Sequence, residues 1–189
     1  MALKSIRLET ERIMLRLANY KDIGIIIRYY QENSLFLAPV EPKKSDFFYT
    51  KNFWYNEIEA RLNEYYADRS LKLFLFKQEQ PNEIIGVLNF SNFIRGAFQS
   101  CNLGYSLAEK EQGKGYMSEA LTKAIDYVFT ELNLHRIMAA YLPHNQRSGK
   151  LLKKMGFLVE GYAYDYLAID GKWEDFILTS LINPDWQEK

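Results

Sequence analysis

The stretch Gly104-Tyr105-Ser106-Leu107, followed after four charged or small residues by Gln112-Gly113-Lys114-Gly115-Tyr116-Met117, decides the fold. From Met117 onward the apolar residues fall at Ala120, Leu121, Ala124, Ile125, Val128 and Phe129, with Glu119, Lys123 and Asp126 between them. That spacing predicts a helix with one buried face. A strand therefore ends, a glycine loop follows and a helix begins. Two glycines within three residues let backbone N–H groups turn inward together, and the helix start adds unpaired N–H groups at a positive dipole end. The arrangement predicts an anion site. Gly113-Lys114 is followed by Gly115 rather than Ser or Thr, and no glycine stands five positions earlier, which excludes a nucleoside-triphosphate loop. A third glycine at dinucleotide-fold spacing is missing too.

Working outward, residues 8–17 alternate as a first strand, and Asn19 to Asp22 cap a helix through Ile23, Ile26, Ile27 and Tyr30. Pro39 and Pro42 predict an extended, irregular loop over residues 36–42. A long helix over about residues 45–68 is expected, burying Phe48, Phe53, Ile58, Leu62 and Tyr65. Strands at 71–77, 83–90 and 100–107 follow, with a turn at Gln80-Pro81-Asn82 and another over 91–97. Beyond the central helix come a strand at 136–142, a helix over 145–155 closed by Gly156, and two strands, 157–166 and 173–181. Asp170-Gly171 predicts the tight turn between them. No repeat or linker interrupts the order, so residues 1–189 form a single mixed α/β domain of about seven strands with flanking helices.

Composition narrows the function classes. Lys plus Arg and Asp plus Glu balance at 24 each, so bulk electrostatics favour neither nucleic acid nor an anionic membrane. The lone Cys101 forms no internal disulfide and is expected to pack as a small hydrophobe; two histidines make no metal cluster. Charges scattered through residues 1–20 leave no apolar run for a signal or a membrane span. A cytoplasmic protein without a metal is expected.

Gln112-Gly113-Lys114-Gly115-Tyr116-Met117 resembles the Gln/Arg-x-x-Gly-x-Gly/Ala signature of the Gcn5-related N-acetyltransferases (GNAT), with Met117 departing from the usual small residue. Asn145-Gln146-Arg147-Ser148 with Gly156-Phe157 resembles that superfamily's Asn-x-x-Ser…Gly-Phe pattern, and the element order agrees. Segments 36–42, 84–92, Gly104-Tyr105-Ser106, 135–139, Pro143-His144-Asn145, 160–163 and Asn183-Pro184-Asp185-Trp186 sharpen the resemblance to the ribosomal-protein alanine N-acetyltransferases of the RimJ type, over essentially the whole chain.

The resemblance implies a GNAT fold with a splayed strand pair and acetyl-CoA as co-substrate. The pantetheine arm would pair with backbone at Leu103, Gly104 and Tyr105, and the phosphates would rest on Gln112, Gly113, Lys114, Gly115, Tyr116 and Met117. Asn145 would bond the pantetheine arm or cap its helix. Ser148 is expected as proton donor to the departing thiolate, with helix capping as its bland alternative and Tyr141 and Tyr164 as alternates. The acceptor amine needs only a weak base: an α-amine titrates at about 7.7 to 8.0 against about 10.4 for lysine. Glu160, Glu41 and Asp165 are the carboxylates available for that role. Glu41 and Tyr164 are expected to contact the acceptor, and His135 and His144 to be structural or to contact substrate. The acceptor implied is the N-terminal alanine of a ribosomal protein. A small amine (antibiotic, amino acid or polyamine) and a ribosome-assembly binding protein with little turnover stay open, as does monomer or homodimer.

Overall fold

A computed structural model describes residues 6–188. Its core is one eight-stranded sheet in the order β1-β2-β3-β4-β5-β6-β8-β7. The strands are β1 Arg7–Glu9, β2 Ile13–Arg16, β3 Leu71–Lys77, β4 Gln80–Ile94, β5 Ser100–Leu107, β6 Arg136–Tyr141, β7 Leu158–Ile169 and β8 Lys172–Ile182. Helices α1 Ile23–Glu32, α2 Ser34–Leu37, α3 Lys51–Tyr66, α4 Tyr116–Thr130 and α5 Gln146–Lys154 flank it.

Strand alternation sorts the core into two layers. Leu73, Leu75, Leu88, Phe90, Leu103 and Ile137 pack against Ala120, Leu121 and Ala124 of α4 and Leu152 of α5. Phe74, Phe76 and Val87, on the opposite face, pack against Ile26, Tyr29 and Tyr30 of α1 and Trp54 and Ile58 of α3. Helices α1 and α3 lie over β2–β4, with Tyr29 of α1 reaching as far as Ser106 of β5.

All strands pair antiparallel except β5 and β6. That parallel pair is joined only from Ser100↔Arg136 to Leu103↔Ala139, although β5 runs on to Leu107 and β6 to Tyr141. The expected splay is therefore present, and it opens at Gly104.

Several boundaries differ from the sequence reading. The first strand is two, β1 and β2, because Thr10 turns the chain: its N–H donates to the Ile13 carbonyl at 3.0 Å and its hydroxyl oxygen accepts from the Ile13 N–H at 3.1 Å. This brings the count to eight rather than about seven. Residues 36–42 are not extended throughout; α2 runs into a 3₁₀ turn, Ala38–Val40, since Pro39 at the start of a helical turn has the φ the turn needs and no N–H to waste. The long helix begins only at Lys51, where the Thr50 hydroxyl accepts from the Phe53 N–H at 3.2 Å; residues Asp46–Tyr49 form a separate 3₁₀ turn. Gln80-Pro81-Asn82 lies in β4, not in the turn, because Lys77 pairs with Gln80 and the ladder shifts register beside it. β4 also runs past Phe90, through Ile94, instead of turning at 91. Asp170 and Gly171 take φ of 46° and 82°, the pair of positive values of a type I′ turn, as read from the letters.

Candidate active site

The glycine loop is shaped by φ of 75° at Gly113 and 83° at Gly115, a left-handed conformation that a side chain resists. Gly115 is the N-cap of α4, and the first helical bond runs from the Glu119 N–H to the Gly115 carbonyl at 3.1 Å. The N–H groups ahead of Glu119 have no intrahelical partner and stand at the positive end of a fifteen-residue helix. Side chains pin the loop from outside. Arg12 pairs with Glu119 at 2.6 Å and donates to the Lys114 carbonyl at 3.0 Å. Buried Glu111 takes Lys77 at 2.7 Å and Lys114 at 3.0 Å. Burial pushes the Glu111 carboxyl up, but the two lysines outweigh it and hold the group below the usual carboxylate range. The Gln112 amide donates to the Leu107 carbonyl at 2.9 Å, closing the loop on β5.

At the other wall, Asn145 Oδ1 caps α5 by accepting from the Ser148 N–H at 3.2 Å. The Ser148 hydroxyl shares a 2.7 Å hydrogen bond with the Tyr105 hydroxyl, which reaches it from β5 across the splay. Burial pushes the Tyr105 phenol up to about 12, with the Ser148 bond partly offsetting it, so Tyr105 keeps its proton at neutral pH. Ser106 points to the other face and bonds the buried Tyr29 hydroxyl at 3.1 Å.

A groove of about 1950 Å³ passes through the splay and gathers most of the expected residues. Leu103, Gly104, Tyr105, Gln112, Gly113, Gly115, Met117, Asn145, Ser148, Glu160 and Glu41 all line it. Lys114 and Tyr116 do not. Lys114 is held by Glu111, and the Tyr116 ring turns away beneath the Arg12 guanidinium, 4.8 Å from its centroid; their contribution to the loop is main-chain. Met117 also packs into the core, so the bulky residue at this position fills space behind the loop instead of crowding it.

Tyr164 lies outside the groove and is 80% exposed, edge-on to the Tyr162 ring at 5.0 Å. The cause is a bulge: the β7–β8 register shifts between Ala163 and Leu167, and Asp165 takes a φ of 45° with its N–H on Asp175. Tyr166 faces the groove in its place. No sequence signal marks that bulge, since Asp165 sits in an otherwise regular alternation. Tyr141 and His144 line the groove, whereas His135 meets Trp186 edge to face at 5.6 Å.

Glu160 is bound to Arg136 and accepts from the Ser180 hydroxyl at 2.7 Å. Those two bonds, Arg136 first, hold its carboxyl below the ordinary range. Glu41 pairs with Lys44, whose ammonium also lies over the Tyr30 and Phe48 rings at 5.3 and 5.5 Å. Cys101 is buried, and desolvation lifts its thiol to about 12, as fits a packing residue. Among the described residues no group of three or more His, Cys, Asp or Glu is placed to hold a metal, and no helix is long and apolar enough to cross a membrane.

A cradle of free N–H groups, a splayed pair of parallel strands and a hydroxyl pair across the gap fit one kind of co-substrate: a long, amide-bearing thioester ending in phosphates. These features define an acetyl-CoA-dependent acyltransferase. Residues 12–158 match the family model described as an acetyltransferase (GNAT) domain, and the chain belongs to that family as an acetyl-CoA-dependent N-acetyltransferase. It is 47% identical over 181 residues, 96% of this chain and 93% of the relative, to the ribosomal protein uS5-alanine N-acetyltransferase of Escherichia coli. It is also similar to the solved ribosomal-protein-S5-alanine acetyltransferase of Vibrio fischeri, with a TM-score of 0.92, 39% identity and coverage of 97% of this chain and 100% of that one. The solved RimJ of Mycobacterium smegmatis in complex with CoA-disulfide follows at a TM-score of 0.86 and 26% identity, covering 98% and 90%.

Proposed function

We propose that the chain acetylates the N-terminal alanine of a ribosomal protein, in the cytoplasm, by direct attack of the free α-amine on the thioester of acetyl-CoA. The similarity to two alanine acetyltransferases over nearly the full chain supports the acceptor. The observation that carries the chemistry is the Ser148–Tyr105 hydroxyl pair standing across the splay opposite the glycine loop.

Gly113, Gly115 and the first turn of α4 bind the phosphates through N–H groups, with Gln112, Lys114, Tyr116 and Met117 shaping the loop. Leu103, Gly104 and Tyr105 offer main-chain groups on the open edge of β5, and Asn145 fixes the start of α5. Bound acetyl-CoA supplies an activated acyl group with a thiolate to expel. Ser148 gives that thiolate its proton and regains one in the same step from groove water, while the protonated Tyr105 orients the Ser148 hydroxyl. Glu160, ionised at neutral pH, acts as a weak base that takes the ammonium's proton through water. This suffices because roughly a tenth of an α-amine is neutral at pH 7. Glu41 lies at the acceptor end of the groove with Lys44, Tyr30 and Phe48.

The test is intact and fragment mass analysis of an alanine-initiated peptide carrying an internal lysine, incubated with enzyme and acetyl-CoA. One acetyl group on the α-nitrogen is expected; acetylation of the lysine alone overturns the reading.

A further inference from the structure

The acceptor has to enter from the sheet face that α1 and α3 leave uncovered, because α4 and α5 occupy the other. Register identifies what waits there. Phe74 pairs with Val87 and Val87 with Ser106, and these belong to the α1/α3 face; two residues along, Lys72 pairs with Asn89 and Asn89 with Gly104 on that same face. Ser91 opposite Asn102 completes a polar strip beside the first unpaired turn of the splay. Three features meet at this point. The Asn89 side-chain oxygen is shielded from solvent and has no hydrogen-bond partner among the described residues. Ser100 Oγ and Arg136 Nε, at the far, paired end of β5 and β6, share that lack of a partner but do not line the groove; Asn89 does, and a buried acceptor beside a groove needs a partner. Gly104 is exposed, its φ is not in the positive range, and a Cβ added there meets nothing within 4 Å. Neither backbone geometry nor packing demands glycine at 104, yet Asn89, Gly104, Ser91 and Asn102 all line the groove.

We infer that Asn89 and Gly104 form the seat of the acceptor's first residue: the Asn89 carboxamide accepts a hydrogen bond from the α-amine, and the missing side chain of Gly104 leaves room for the residue it belongs to. The terminal torsion of asparagine is soft, so the oxygen swings toward the groove as the amine arrives. Asn89 is thus a positioning residue for the amine and Gly104 a determinant of first-residue size. The inference rests on the proposed acceptor.

The experiment is steady-state kinetics of Asn89→Ala and Gly104→Ala with peptides differing only in a first residue of glycine, alanine or valine, alongside calorimetric binding of coenzyme A and a thermal melt. Asn89→Ala is expected to raise the acceptor KM about tenfold, the effect of losing one hydrogen bond to a charged or polar group, with kcat within about threefold and coenzyme A affinity unchanged. Gly104→Ala is expected to lower kcat/KM about tenfold for the alanine-first peptide and less for the glycine-first one, a discrimination that a general structural defect does not produce. Unchanged acceptor KM in Asn89→Ala, or an equal loss on all three peptides in Gly104→Ala, overturns the inference while leaving the proposed function standing. A wild-type enzyme inert toward every peptide removes both.

Discussion

Replacing Ser148 by alanine separates chemistry from scaffolding more cleanly than any other single change in the groove. The cap of α5 survives, because Asn145 bonds the main-chain N–H of residue 148 and not its side chain. What disappears is one hydroxyl, and with it the 2.7 Å bond to a Tyr105 phenol that burial holds protonated. A positioned acid contributes about 10² to 10⁴ in rate. With solvent able to protonate a thiolate slowly, the lower end applies: kcat should fall about a hundredfold, about 2.7 kcal/mol in barrier. Leaving the half-buried Tyr105 hydroxyl without a partner costs about 1 to 3 kcal/mol of stability. At about 2 to 4 °C per kcal/mol for a chain of this size, the melting temperature drops by about 2 to 12 °C. The assay is release of free thiol from saturating acetyl-CoA, with coenzyme A affinity measured separately and expected unchanged. Tyr105→Phe should cost only about three- to tenfold in kcat, since it orients the serine without giving up its proton. The double variant should match Ser148→Ala in rate while regaining part of its stability, the non-additivity of a coupled pair. A Ser148→Ala enzyme within threefold of wild type, or one slower than Tyr105→Phe by less than twofold, refutes the assignment of the acid.

Arg12→Ala removes both the Glu119 pair and the bond to the Lys114 carbonyl, so the loop loses its outer brace; coenzyme A affinity should weaken about tenfold by calorimetry with acceptor KM unchanged. Glu160 is held below its ordinary range by Arg136 and Ser180, so its contribution to stability is present above the unfolded value of about 4.3 and is lost as pH falls through the folded value. Wild type and Glu160→Gln should therefore differ in urea midpoint at pH 7, by an amount that shrinks as pH falls below the unfolded value; a difference that does not shrink on acidification contradicts the ionised assignment. For the same reason the rate of the wild-type enzyme should rise through the α-amine range of about 7.7 to 8.0 with no limb from Glu160 between pH 5.5 and 9. Gly149→Ala places a Cβ 2.8 Å from the Tyr141 ring, too close for either to stay put; α5 or Tyr141 must shift, and kcat should fall several-fold through displaced Ser148 while the fold survives in circular dichroism.

The parts of this fold that could be read from the letters are those where one local rule governs. Helix α4 follows from 3.6-residue periodicity, the loop before it from two glycines at adjacent turns, and the Asp170-Gly171 hairpin from a dipeptide that suits two positive φ values. The Asn145-x-x-Ser148 spacing was legible as a cap with a hydroxyl on the same turn: Asn145 caps α5, and the Ser148 hydroxyl bonds Tyr105. What escaped depends on partners distant in sequence. Thr10 splits the first strand because Glu119, 109 positions away, accepts from its hydroxyl. Trp54, fully buried at the centre of the α1/α3 layer, was hidden among the many aromatics of a helix with no clear apolar face. Tyr164 was misplaced by a bulge that one positive φ at Asp165 creates, and Glu111 beneath the glycine loop meets the β3 residue Lys77 only through the sheet. Asn89 carried no motif of its own; its position opposite Gly104 is a fact of register.

The claim that the free α-amine of an alanine-initiated polypeptide is the acceptor is tested most directly by thiol release from acetyl-CoA with three acceptors in parallel: an alanine-first peptide, the same peptide with its N-terminus blocked, and spermidine. Turnover with the free peptide and none with the other two is the predicted result. Turnover with spermidine and none with the free peptide contradicts it.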